Sequence, residues 1–243
     1  AVVLLAAAAG MLQLKADGVA ASELVLGESE ARTGQQLLGE HFPGGSGSPV
    51  QVIVAADRFQ EAAGAMLATT GVESVSVVSA DSPSGSAPVT ADGIQPIAPG
   101  APIPSPTTVD GEVLLQGTLD AAPDSSEAED AVRTLRDVVG EGALVGGITA
   151  TAVDSDAASI RDRTLIIPLV LLVIVVILVL LLRSIVAPVL LVATVVLSFL
   201  ATMGVSAIVF THVLGLPGAD PAVPLFGFVF LVALGIDYNI FLM

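Results

Sequence analysis

The sequence predicts an α+β domain of the split βαβ, ferredoxin-like kind (βαββαβ) joined to an all-α bundle of transmembrane helices. Three observations predict it. Charge is segregated: residues 164–243 contain Asp220, Asp237 and Arg183 as their only acids and base, while the rest of the chain is polar and acidic. Between Pro49 and Val153, runs of period two and period 3.6 follow one another in the order β-α-β-β-α-β. After Arg163 come three apolar runs separated by short connectors.

Composition excludes several classes. The 243 residues carry a net charge of −16, almost all of it before residue 164. That surface argues against nucleic acid as a partner and against a polybasic membrane-docking patch. Without cysteine there is neither a disulfide framework nor a thiolate metal site. Lys15 is the one lysine among abundant Arg, Ala, Val and Gly, the codon bias of a GC-rich, actinobacterial-type genome.

Ala1–Leu14 is shorter than the ~20 residues of a full span and has no basic n-region. It reads as the end of a truncated transmembrane helix, and Met243 falls inside an apolar run, so the chain reads as a piece of something longer. Residues 15–163 form the extracytoplasmic domain. Lys15 to Glu40 shows no strong period, and HFPGGSGSP at 41–49 is a turn cluster in which His41 reads as a loop residue.

Val50, Val52 and Val54 alternate as a strand within Pro49–Asp57. Asp57 is placed to cap a helix whose apolar face is Phe59, Ala62, Ala63, Met66 and Leu67, with Gly71 ending it. Val72–Ser79 is a second strand. Residues 81–110, rich in Pro, Ser and Gly, read as a flexible insertion. Glu112–Asp120 is a third strand. Ser125 or Ser126 caps a helix facing inward through Ala128, Ala131, Val132, Leu135, Val138 and Val139. Ala143–Val153 reads as a fourth strand, and Asp154 or Ser155 as the cap of a helix over 156–163 that leads into the membrane.

Residues 164–243 hold three spans, at about 165–182, 186–210 and 225–243, with Pro168 and Pro188 near the starts of the first two. Arg183, in the tight connector, marks the cytoplasmic side. Residues 15–163 and the 211–223 loop then lie outside the cell membrane, of which the chain is a multi-pass protein.

Two features inside the apolar region carry chemistry. Thr194, Ser198, Thr202 and Ser206 recur every four residues, a stripe suited to close helix packing or to lining water, with packing favoured. Asp237 is different in kind. It sits in LFGFVFLVALGIDYNIFLM among residues that cannot neutralise it, followed by Tyr238 and Asn239. An intramembrane acid is costly, about 3 kcal/mol or more, and marks proton pathways. Desolvation favours its neutral form, so it can load and release a proton as the site meets water from either side. No His/Asp/Ser constellation, phosphate loop or metal cluster is visible, so the expectation is no enzyme, no cofactor and no metal.

ALGIDYNIFLM at 233–243, preceded by VPLFGFVFLV, resembles the Asp-Tyr helix of the MMPL (mycobacterial membrane protein large) transporters of the resistance-nodulation-division superfamily. HFPGGSGSPV at 41–50 and the run from Gly146 to Asp154 resemble that family's porter domain. The resemblance implies a partial RND-type fold, and the Asn after Asp-Tyr is similar to the second half of the family. It implies a proton-motive-force-driven exporter of lipids or hydrophobic small molecules, in which Asp237 and Tyr238 supply half of the proton relay. The implied partners are protons, the substrate, the lipid bilayer and the missing half of the transporter. Two other readings compete: the permease subunit of an ATP-driven exporter, and a non-transporting membrane scaffold or assembly protein.

Overall fold

The structure is a computed structural model that describes residues 2–16, 18–19, 29–216 and 218–241; the side chains of residues 31, 32, 35, 36 and 236–241 lie outside that description. The elements in chain order are α1 (Val2–Ala9) with a 3₁₀ extension (Gly10–Gln13), α2 (Glu30–His41), β1 (Val50–Ala55), α3 (Phe59–Ala68), β2 (Val72–Val78), β3 (Ser86–Thr90), β4 (Gly93–Ile94), β5 (Thr108–Val109), β6 (Glu112–Leu119), α4 (Ser126–Val139), β7 (Leu144–Gly146), α5 (Ile148–Leu182), α6 (Val186–Ile208) with a π-turn (Val209–Val213), and α7 (Val223–Phe241). They fall into two units: residues 20–155, and residues 1–19 with 156–243.

The first unit is an antiparallel sheet in the order β4-β3-β2-β6-β1-β7, with β5 paired to β6. Alternation in VQVIVA sends Val50, Val52 and Val54 inward, and the same period in β6 buries Val113, Leu115 and Leu119. The helices α3 and α4 meet this face with Ala62, Ala63 and Met66, and with Ala128, Val132 and Leu135. Each large side chain buried here contributes about 1.5–3 kcal/mol. The helices are also tied together, because Arg58 donates to the Glu141 carbonyl at 2.8 Å and to that of Val139 at 3.4 Å, just where α4 ends.

Several expectations change. Residues 81–110 are not all loop. They hold β3 and β4, in which Pro88 pairs opposite Ser76 and its carbonyl accepts from Gln95 N at 2.8 Å. The insertion ends in a hairpin, β5 to β6, turned at Asp110-Gly111 with φ of 51° and 86°. A helix, α2, stands where no period was evident. Asp57 does not cap α3: Arg58 occupies that position and supplies no side-chain cap. Ser125 does cap α4, accepting from Ala128 N at 3.2 Å, but Val138 points outward, 49% exposed.

The largest difference is at the fourth strand. β7 stops at Gly146 and α5 starts at Ile148. Gly147, at φ +112°, turns the chain there, and a methyl on it would lie 3.1 Å from the Pro49 carbonyl oxygen. Thr149 then donates to the Pro123 carbonyl at 2.7 Å, while Ala150 and Val153 enter the core at helical spacing. Neither Asp154 nor Ser155 begins a helix, because α5 runs unbroken through them. Pro168 is therefore interior to α5 rather than near its start, and leaves the Thr164 carbonyl without its i+4 donor.

α5, which enters the second unit at Asp156, and the α6 segment Val186–Val213 are long and apolar enough to cross a membrane; Val2–Gln13 is a shorter apolar helix, and α7 is apolar over Val223–Gly235. From Leu165 to Leu182, α5 has no polar side chain, and residues such as Leu172 (61% exposed) face outward. The hub is α6. One side takes the α1 segment at Gly204; another takes α7 at Val195 and Phe199.

Candidate functional site: the Asp237 helix

The helix that carries Asp237 is started by another acid. Asp220 accepts from Ala222 N through Oδ1 at 2.8 Å, and its carbonyl accepts from Val223 N at 3.0 Å. This is an Asx turn just ahead of α7, whose first intrahelical bond runs from Phe226 N to the Ala222 carbonyl, and the negative charge lies near the positive end of the helix. The loop before it is held to the segment after α1, since Ala219 N donates to Lys15 O and Gly18 N to Ala219 O.

From there α7 packs on α6 along one stripe. Phe228 meets Phe199 edge to face, with centroids 5.6 Å apart at 86°. Further along, a methyl on Gly235 would lie 3.2 Å from both Val195 methyls. At about 100° per residue, Phe228, Leu231 and Gly235 continue to the position of Tyr238. The opposite stripe runs Phe226, Phe230, Ala233 and then the position of Asp237. Phe226 and Phe230 are 62% and 67% exposed. By backbone register, Asp237 thus falls on the face of α7 away from α6, and Tyr238 on the face toward it. The side chains of Asp237, Tyr238 and Asn239 lie outside the described residues.

The hydroxyl stripe of α6 does not coincide with its close contacts. Thr194, Ser198 and Thr202 are exposed and Ser206 is half-buried. Thr194 donates to the Leu191 carbonyl at 2.8 Å and Thr202 to that of Ser198 at 2.9 Å, which satisfies both within the helix. Close packing of α6 uses Val195, Phe199, Ala201, Gly204 and Ala207 instead.

Two other motifs turn out to be joints. In HFPGGSGSPV, Gly44 N and Gly45 N donate to the Asp120 and Leu119 carbonyls at 2.9 and 3.0 Å, and a methyl on either glycine would collide with backbone of residues 119–122. In Gly146–Asp154, the terminal Asp154 receives both Arg136 guanidinium nitrogens at 2.6 and 2.9 Å. The Arg136 hydrogen bond holds the Asp154 carboxyl below its ordinary pKa. This pair could not be read from sequence, because its members belong to different elements. His41 ends α2 and is exposed. Among the described residues, no group of three or more His, Asp or Glu could hold a metal ion.

The MMPL family model matches residues 27–243. This chain belongs to the MMPL family. It is 51% identical over 244 aligned residues to a putative membrane protein of Streptomyces coelicolor, covering 99% of this chain and 32% of that protein. A second putative membrane protein of the same organism, ActII-3, is 41% identical over 94% of this chain and 29% of its own length. Over 98 residues the chain is 43% identical to the apo-petrobactin exporter of Bacillus anthracis and 39% identical to the sulfolipid-1 exporter MmpL8 of Mycobacterium tuberculosis, covering 40% of this chain and 13% and 9% of those proteins. The chain spans about a third of the length of the first two relatives. Family membership makes it a membrane protein with an RND-type fold, in keeping with its apolar helices.

Proposed function

We propose that this MMPL chain is part of a proton-motive-force-driven exporter that moves lipids or other hydrophobic small molecules across the cell membrane, with Asp237 and Tyr238 as half of its proton relay. What supports the reading is the acid in the apolar run of α7, at the register position that continues the stripe of the exposed Phe226 and Phe230. An acid left there needs a partner, and in this reading the missing half of the transporter supplies it. Relatives named as exporters of petrobactin and sulfolipid-1 support the transport class.

In this reading residues 15–163 are an extracytoplasmic, ferredoxin-like porter domain. The order β2-β6-β1-β7, all antiparallel with α3 and α4 on one face, supports it, with β3, β4 and β5 as additions. Arg183 lies on the cytoplasmic side. Protonation of Asp237 removes a charge from the helix interface, the helices repack, and the porter domain opens or closes the substrate path. One proton moving down 100 mV supplies about 2.3 kcal/mol, enough to bias such a repacking.

The test is Asp237→Asn in the intact protein, with cargo export and membrane yield measured together. Export should be abolished while yield and detergent stability stay close to wild type. Retained export would sink the relay.

A further inference from the structure

The α5–α6 turn carries a feature that the proton relay does not use. Arg183 is the sole lysine or arginine in residues 164–243. Its backbone is in the left-handed region, φ 51°, where glycine or asparagine is the usual occupant. The side chain is exposed and forms no ion pair or hydrogen bond among the described residues. With Ser184 it lines an open cleft of about 610 Å³ whose other walls are Val179, Leu180 and Ile185. Beside it α6 begins uncapped, since Ile185 at the N-cap offers no side-chain acceptor; Pro188 has no amide hydrogen, so the free amides of the first turn are those of Val186 and Ala187.

Each part of this corner asks for a different part of one ligand. A guanidinium binds a phosphate through paired donors. The free amides at the start of α6 and the Ser184 hydroxyl add further donors for an anion. Leu180 and Ile185, 75% and 70% exposed, offer apolar surface of the kind an acyl chain covers. Nothing acidic lies in residues 164–219 to compete for the cation.

We infer that Arg183, Ser184 and the start of α6 form a binding site for the phosphate of an anionic phospholipid, whose acyl chain lies against Val179, Leu180 and Ile185. The site lies where the two longest apolar helices meet, so it samples headgroups of the leaflet in which the turn sits. Its occupancy would fix the α5–α6 connection at a membrane boundary. It rests on the membrane placement of α5 and α6 alone and is independent of proton coupling.

The experiment uses the purified whole chain, stripped of lipid in detergent and then offered phosphatidylglycerol, phosphatidylcholine of the same acyl chains, or inorganic phosphate, with bound lipid counted by native mass spectrometry. Wild type should retain phosphatidylglycerol about five-fold better than phosphatidylcholine, the worth of one basic residue beside an anionic leaflet. Arg183→Gln should erase the preference, and Arg183→Lys should keep part of it. Arg183→Gly suits the left-handed backbone, so it should fold at least as well as wild type while losing the preference. Equal preference in wild type and Arg183→Gly overturns the assignment. So does inorganic phosphate displacing the lipid at equal concentration, since the apolar wall would then contribute nothing.

Discussion

Gly10 and Gly204 meet backbone to backbone where the 3₁₀ extension of α1 crosses α6: a methyl on Gly10 would lie 2.6 Å from the Gly204 carbonyl oxygen, and one on Gly204 would collide with the Ala7 carbonyl. Helices in lipid gain little from hiding apolar surface, so contacts this close supply much of what holds them. Gly204→Leu should therefore separate the two segments, and even Gly204→Ala should cost about 1–3 kcal/mol, the range for overpacking. Thermal unfolding in mild detergent measures it. Gly39→Ala is the control, because it meets open space on α2 and should be neutral or stabilising. Equal melting temperatures for Gly204→Ala and wild type would contradict the crossing.

Arg136 and Asp154 give a pH prediction. The carboxyl's folded pKa is depressed below its ordinary value, first by the hydrogen bond from Arg136. A depressed carboxyl contributes stability that is present above the unfolded pKa, near 4, and is lost as pH falls through the lower folded value. Asp154 is 65% exposed, so the pair is worth no more than about 0.5–1 kcal/mol. Arg136→Gln should cost that much at pH 7 and progressively less as the pH falls below about 4 and through the lower folded value. A pH-independent loss in urea titrations would point to lost packing of the arginine stem instead.

Period and punctuation explain which parts of the fold were legible beforehand. β1, α3, β2, β6 and α4 each carry one clean period and bury it against the same core. β3 was hidden because Pro88 argues against a strand, and it is tolerated there only because no ladder donor is asked of it. The Asp110-Gly111 turn is a hairpin signal in the sequence, but it lies at the end of the proline-rich run whose composition reads as loop. Ile148, Thr149, Thr151 and Val153 favour a strand locally, yet the turn at Gly147 and the Thr149 bond to Pro123 draw them into α5. Asp237 stood out because one charge in an apolar run is conspicuous. The face it occupies was not legible, because that depends on which side of α7 Phe199 and Val195 take up.

The hydroxyl stripe on α6 has a discriminating test. Thr194 and Thr202 already satisfy their hydroxyls on their own helix, and both are exposed. Thr194→Val with Thr202→Val should leave the stability of this chain within about 0.5 kcal/mol, as for surface changes that break no buried contact. In the intact protein the two roles separate. A water-lining stripe loses export rate at unchanged stability, whereas a packing stripe loses melting temperature by several degrees.

Energy coupling separates the exporter from its two rivals. If Asp237 relays protons, collapsing the proton gradient with an uncoupler should stop export within the time the gradient takes to fall, with cellular ATP held constant. A permease driven by a separate ATPase would continue under those conditions and would tolerate Asp237→Asn. A scaffold would show the reverse of the relay pattern: Asp237→Asn would lower the amount of assembled complex recovered from membranes, and the uncoupler would do nothing to it. Asp237→Glu adds a finer reading. It keeps the titratable group but moves it by one methylene on the face shared with Phe226 and Phe230. A relay should retain a measurable fraction of export in Asp237→Glu and none in Asp237→Asn. Equal loss in both would mean that shape at that position matters, and that the carboxyl's proton does not.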